Sequence, residues 1–481
     1  MGGGGDGARE FVDVGPAQAI VLAAIRPAPV VTWPLERAVG RTLADDVVMD
    51  IDDPPFDRAV MDGFAVRAAD VARAPCELSV VGEIAAGAAG SPAVASGTAV
   101  RINTGAAMPA DADAVVPIEQ VDVTPDGTRV RVREPVSAGA HVTPRAKHAA
   151  AGQTLLRAGM PLTPARIAVA AAAGAVTVDV FAPTTVAILS TGDELVDVHA
   201  RPQGAQIRNS NGFLLEALVR QAGAEPRRLG IVPDDKQQIA ARVRDGLRSD
   251  FLLISGGISM GTFDLVPRVL ERCGVRIAVR KMAIKPGRPT LFGISEFRAQ
   301  SSESRVQSSN SRAQSSESRV QSSNSRVQSS ESRVQSSNSR VQSSDARVQS
   351  PESERASLGT GGGGHQCAVF ALPGNPVSAF MGFWLLVRPA LAARERRPAA
   401  VQPTVCARLD GQIKPTAERR SYWPARLAPD ESGRLTVRPT VWHGSGDPFG
   451  LIDANALIMR PPHAPAAQSG DLVDVLILDA V

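Results

Sequence analysis

Phe251-Leu252-Leu253-Ile254 places four apolar residues in a row, and Ser255-Gly256-Gly257 then breaks the run. An uninterrupted apolar stretch of this length predicts a strand buried on both faces, and the glycines predict a tight turn at its end. A helix follows in the pattern, with Asp264 at its N-cap or in its first turn and an end near Arg272. From residue 183 onward the same rhythm repeats as βαβα. A strand over 185–189 ends in Ser190-Thr191-Gly192-Asp193-Glu194, and Asn209-Ser210-Asn211-Gly212 caps a helix running to Gln221. A strand over 228–232 leads into Pro233-Asp234-Asp235 and a helix carrying Ile239, Val243 and Leu247. Further strands are predicted over 275–279, 290–293 and 368–371. The last opens into Leu372-Pro373-Gly374-Asn375-Pro376-Val377-Ser378, with Pro376 at the first position of an apolar helix through Val387.

The remainder reads differently. Residues 1–9 form a loose, Gly-rich tail. Ala17, Ile20, Val21 and Ala24 have helical spacing over 15–25, and a strand is expected over 43–47. Pro54-Pro55 sets an extended entry, and Met61-Asp62-Gly63 makes a turn before a strand over 64–66. From about 75 to 135 short Val/Ile runs alternate with Gly, Pro and Asp, a β pattern. Within it Thr104-Gly105 exposes a hydroxyl and a backbone N–H at a strand end, and Asp113 is read as an Asx turn before a strand over 114–117. Residues 139–159 are loop-like, and a helix is framed by Thr163, Pro164 and Gly174. After about 397 the pattern is β again.

Residues 301–349 hold about seven copies of Ser-Ser-(Glu/Asn)-Ser-Arg-Val-Gln. Each unit offers one weak apolar residue, so the period of seven does not make a coiled coil, and a disordered insertion is expected. Residues 359–364 read as a Gly linker. The strands flanking this insertion can pair as a hairpin, with the added length at the sheet edge opposite Lys285 and Gly374.

A chain of 481 residues accommodates three or more domains, at roughly 100–200 residues each. The net charge of +3 is accounted for by the repeat alone. The rest is near neutral, which argues against nucleic acid as a partner. Cys76, Cys273, Cys367 and Cys406 lie far apart, which excludes a Cys-x-x-Cys zinc site and fits a reducing, cytoplasmic setting. No signal peptide is read at the N-terminus, and no apolar run approaches the roughly 18 residues of a membrane span.

Three strands thus end in loops of one kind: Thr191-Gly192-Asp193-Glu194, Ser255-Gly256-Gly257 and Pro373-Gly374-Asn375-Pro376-Val377-Ser378. In a parallel sheet these ends share one edge, where open α/β sheets bind ligands. Backbone N–H groups, hydroxyls, Lys281 and Lys285 there suit phosphate or another oxyanion. Glu194, Asp235 and Asp264 would repel that anion, and a divalent cation between them, Mg²⁺ by ligand type, resolves the conflict.

Six stretches together resemble the molybdopterin molybdenumtransferase family (MoeA and the E domain of gephyrin). They are Met61-Asp62-Gly63-Phe64-Ala65-Val66, residues 101–109, residues 190–195, residues 255–264, residues 281–289 and residues 372–379, in an order that covers roughly 11–481 apart from the insertion. The resemblance implies a multidomain α/β plus β protein. A mostly helical linking domain takes 10–51 and 144–182, an inserted β domain 52–143, a parallel-sheet α/β domain of molybdopterin-binding type 183–396 with the insertion at about 297–364, and a C-terminal β domain 397–481. It implies an elongated homodimer whose site lies between the α/β domain of one subunit and the β domain of the other. It further implies an enzyme that takes adenylylated molybdopterin and molybdate and, with Mg²⁺, releases AMP. A molybdopterin adenylyltransferase and apo-molybdoenzymes are possible partners.

Family positions fall on Asp62, Thr104, Glu194, Asp264, Lys281 and Lys285 as catalytic residues. Ser190, Thr191, Gly192, Asp235, Ser255, Gly256, Gly257, Pro373, Gly374, Asn375, Pro376, Ser378 and Arg419 are then expected to bind the cofactor precursor, with Glu194 and Asp264 on the metal. One departure stands out: where the family has Gly-Glu-Asp, this chain has Ala146-Lys147-His148, and Arg288 stands where lysine is common. Two other readings stay open. One is the adenylyltransferase itself, which resembles 183–396 alone. The other is a pterin-binding or scaffold protein of the same fold with impaired turnover, which the change at His148 permits.

Overall fold

The computed structural model describes residues 11–88, 90, 92–258, 265–297, 365–397 and 403–478. The tail, Asp264, the Ser/Arg repeat and the Gly linker fall outside the described residues.

The long apolar runs form one six-stranded sheet in the order Glu225–Val232, Thr185–Thr191, Phe251–Ser255, His365–Leu372, Leu291–Phe297, Val275–Val279. The first four strands are parallel, and Leu291–Phe297 runs antiparallel to both its neighbours. Every residue of Phe251–Ser255 is buried, because helices cover both faces. Alternate side chains enter separate cores. Phe251 and Leu253 join Val186, Ile188, Phe370 and the helix Ser210–Gln221 on one face. Leu252 and Ile254 join Ala187, Leu189, Val369 and the helices Lys236–Gly246 and Leu265–Arg272 on the other. The helix Val14–Ala24 also buries Ala17 and Val21 in the first of these cores.

The expected hairpin is present: Leu291 pairs with Ala371, and Phe297 pairs with His365 at the far end. The helix that opens at Pro376 continues beyond Val387, through a π turn at Phe383–Val387, to Arg394. At 19 residues it is long and apolar enough to cross a membrane, a length the sequence pattern did not suggest. Its most apolar stretch is 83% buried inside the protein, so it is a core helix. Its end is anchored by a largely buried ion pair. Asp250 accepts hydrogen bonds from the Thr185 N–H and hydroxyl (both 2.8 Å) and from Arg394 (2.5 Å), and Arg394 also donates to the Arg26 carbonyl.

A second six-stranded sheet spans Gly63–Val66 to Arg129–Val132 and has its own core around Phe64, Val116 and Val130. A third, C-terminal sheet closes on itself as a barrel, because Arg420–Pro429 pairs with Leu435–Pro439 on one side and Ala456–Arg460 on the other. Segments before and after the inserted sheet pair with each other, Val30–Pro34 with Thr177–Phe181 and Val47–Val48 with Thr154–Leu156, around Leu43, Leu162 and Val180.

Two local expectations change. The strand predicted over 43–47 reduces to a bridge at Leu43 and the short Val47–Val48, because Asp45-Asp46 interrupts it and Asp46 accepts the Ala158 N–H at 2.8 Å. Asp113 does not close an Asx turn on its own strand; it accepts the Ala68 N–H at 2.6 Å, across the sheet end.

Candidate functional site

The register Ser190–Ser255–Leu372 brings the three parallel strands to an end at the same level. Close approach requires glycine at 256 and 257 after the second of them. A Cβ on Gly256, whose φ is +99°, would lie 2.2 Å from the Thr191 carbonyl oxygen. One on Gly257 (φ +66°) would strike Val266 at 2.5 Å, and one on Gly374 would sit 3.7 Å from the Gly256 Cα. The three loops therefore meet backbone to backbone.

Side chains then lock them. The Asn211 amide donates to the Ser255 hydroxyl and to the Gly374 carbonyl, both at 2.7 Å. Its own carbonyl oxygen is buried without a partner. Ser190 donates to Asn209 at 3.1 Å and Thr191 to Asp234 at 2.6 Å. Both hydroxyls are buried and spent on the scaffold, so Ser190 and Thr191 shape the edge. The sequence marked Asn209 and Asn211 only as a helix cap. Their long-range partners, 44 and 163 positions away for Asn211, leave no local signal.

The acids divide by role. Glu194 is exposed, and its carboxylate occupies the space a Cβ on Gly192 would take, 2.5 Å from that position. Asp235 caps the helix Lys236–Gly246, accepting from the Gln237 and Gln238 N–H groups at 3.1 and 2.9 Å. Asp264 lies outside the described residues. Among the described residues, no three His, Cys, Asp or Glu side chains converge as a metal set.

The cations ride on a segment that three parts of the chain hold. Val12 bridges Met282, donating to the Lys281 carbonyl at 3.1 Å and accepting from Ala283 at 2.9 Å. Ile284–Lys285 pairs with Arg420 and Ser421 of the barrel, and Arg419 donates to the Ile284 carbonyl at 3.2 Å. A Cβ on Gly287 would lie 3.6 Å from the Ser378 carbonyl, so this segment runs beside the start of the helix Pro376–Gly382. Lys285 is exposed there and Ser378 buried. A barrel loop docks on the same helix start: Ser445 accepts from the Asn375 amide (2.9 Å) and the Val377 N–H (3.1 Å). Pro373 is buried, and Gly374 and Asn375 are exposed at this rim.

Asp62 and Thr104 form a separate pair on the inserted sheet. Gly63 pairs with Ile102, so the two residues lie at one sheet end. Asp62 accepts from the Thr104 N–H at 2.6 Å and from its hydroxyl at 2.8 Å. These bonds, the backbone one foremost, hold the Asp62 carboxyl below the ordinary carboxylate range. The pair's contribution is therefore complete above that range and is lost as pH falls through the lowered value. We expect Thr104→Val, which keeps the backbone N–H and removes the hydroxyl, to raise the Asp62 value part of the way toward normal in a carboxyl NMR titration; an unmoved titration would contradict the hydroxyl bond. Among the described residues, no hydrogen bond or ion pair joins Asp62 or Thr104 to the α/β edge of the same chain.

His148, at the position where the resemblance expects an acid, lies with Nδ1 3.0 Å from the Asp53 carboxylate. Arg145 beside it pairs with Asp52 at 2.6 Å. A carboxylate is thus present next to position 148, contributed by residue 53.

Comparison with known proteins places the whole chain. Residues 12–174 match the MoeA N-terminal region (domain I and II), residues 187–393 a probable molybdopterin binding domain, and residues 406–478 the MoeA C-terminal region (domain IV). The chain belongs to the MoeA family. A MoeA protein from Pyrococcus horikosii superposes with a TM-score of 0.73 at 27% identity, covering 98% of this chain and 100% of that one. The molybdopterin molybdenumtransferase of Bacillus subtilis (strain 168) is 28% identical over 453 residues, 92% of this chain and 89% of its own length. That of a Nostoc species is 39% identical over 257 residues, 52% of this chain and 58% of its own length. Matches on both sides of the α/β domain leave the stand-alone adenylyltransferase reading without support, since a MoeA N-terminal region and a MoeA C-terminal barrel flank it.

Proposed function

We propose that this MoeA-family protein is a molybdopterin molybdenumtransferase of molybdenum cofactor biosynthesis. It acts in the cytoplasm as a homodimer, inserting molybdenum from molybdate into adenylylated molybdopterin with Mg²⁺ and releasing AMP. The observation that carries the reading is the level ending of three parallel strands in glycine loops locked by Asn211, beside the Lys281–Lys285 segment. The exposed Gly374-Asn375 backbone, ahead of the helix that starts at Pro376, gives a phosphate its N–H partners. Lys281 and Lys285 neutralise molybdate or phosphate charge as the phosphoanhydride opens.

Mg²⁺ is commonly held by one or two carboxylates plus water and substrate phosphate oxygens, not by a full protein cage. The Glu194 carboxylate, seated over the missing Cβ of Gly192, fits that pattern, with Asp264 as its proposed companion. The ion would supply positive charge to the phosphoanhydride oxygens. Glu194 orients this pole of the site, and Asp235 fixes the adjoining helix start. Asp62 and Thr104, which among the described residues make no bond to the edge of their own chain, are proposed to complete the site of the second subunit.

The test is AMP release from adenylylated pterin by the full chain. Release that depends on molybdate is expected, reduced at least about a hundredfold by Glu194→Gln. Binding of the pterin with no AMP release would instead favour the scaffold reading, which the change at His148 permits. Release indifferent to molybdate would overturn molybdenum insertion.

A further inference from the structure

We propose that Phe11 is a positioning residue that sets Lys281 and Arg288 as a two-cation clamp for a tetrahedral dianion. The inference rests on reading the adjoining edge as the molybdate site. The Phe11 ring is half exposed, at 51%, at the head of the first described segment. The Lys281 ammonium lies 5.6 Å and the Arg288 guanidinium carbon 4.7 Å from its centroid. Two like charges drawn to one ring repel each other, and the negative face of the ring offsets that repulsion. The Arg288 Nε is buried without a hydrogen bond, and among the described residues no ion pair restrains Arg288. The ring is therefore what orients its guanidinium.

The backbone fixes the ring in turn. Val12, 3% exposed, bridges the fully buried Met282 through two hydrogen bonds that straddle it, one to the Lys281 carbonyl and one from the Ala283 N–H. Phe11 and Lys281 are thus adjacent across a rung of backbone pairing. Cations prearranged this way need no reorganisation when a dianion arrives, which is where preorganised charge gains its advantage.

The test compares Phe11→Leu, Phe11→Ala and Phe11→Trp in the full chain, measuring KM for molybdate and for adenylylated pterin in AMP release, with thermal unfolding alongside. Leucine keeps apolar bulk without the ring quadrupole, and tryptophan strengthens the quadrupole. We expect molybdate KM to rise about three- to tenfold in the Leu and Ala variants. The Trp variant should match the parent, the pterin KM should stay constant, and the Leu midpoint should be unmoved. A Leu variant equal to the parent, or a rise in both KM values that tracks unfolding, overturns the proposal. Lys281→Met separates the two levels. If it leaves molybdate KM unchanged, the site reading itself fails; if it raises KM while Phe11→Leu does not, only the role of Phe11 falls.

Discussion

Gly256→Ala is expected to destabilise the α/β domain by about 3–5 kcal/mol, combining a left-handed backbone conformation with overpacking against a neighbour. The new methyl would lie 2.2 Å from the Thr191 carbonyl oxygen, a backbone atom that cannot swing aside. Gly274→Ala is the matched control: its φ is +85°, yet nothing lies within 4 Å of the added carbon. That substitution should cost only about 1 kcal/mol. Chemical denaturation of both variants, followed through the α/β domain's own transition, distinguishes strain from crowding. Equal losses at the two positions would mean that the loops do not meet as described. Turnover should fall with Gly256 even below the unfolding transition, because the same contact spaces the Thr191 and Ser255 loops.

Asp62→Asn and Lys285→Ala homodimers should each lose at least about a hundredfold in molybdate-dependent AMP release. A heterodimer made by co-expressing the two variants with different tags should recover activity. On the proposed between-subunit arrangement, wild-type Lys285 of one subunit would face wild-type Asp62 of the other at one site, while the second site would carry both changes. A site built within one chain would leave the heterodimer as inactive as its parents. Among the described residues no bond joins the Asp62–Thr104 pair to the α/β edge of the same chain, which motivates this arrangement.

The sheet edge was legible because its signals are local. An apolar run broken by Ser-Gly-Gly, and a Leu-Pro-Gly-Asn-Pro stretch before an apolar helix, each specify a strand, a turn and a helix start within a dozen residues. The three ends align because adjacent parallel strands keep register. What the sequence hid is long-range. Asp235 reads as a spare acid in the sequence, but in three dimensions two backbone N–H groups claim it. Ser190 and Thr191 look like free hydroxyls until their buried acceptors, Asn209 and Asp234, are seen. The strand expected over 43–47 failed for the opposite reason: a local apolar pattern lost to Asp46, which a distant N–H recruits. Phe11 carried no pattern at all, since a single aromatic at the end of a polar tail has no period to betray it.

The hairpin has a practical corollary. Phe297 and His365 face each other across neighbouring strands, at the end remote from Leu291 and Ala371. Whatever peptide joins them departs and returns through the same doorway, so its length scarcely alters the geometry of closure. That doorway is a natural port for cargo: a reporter domain grafted there would be carried at the opposite end of the strand pair from Leu291 and Ala371.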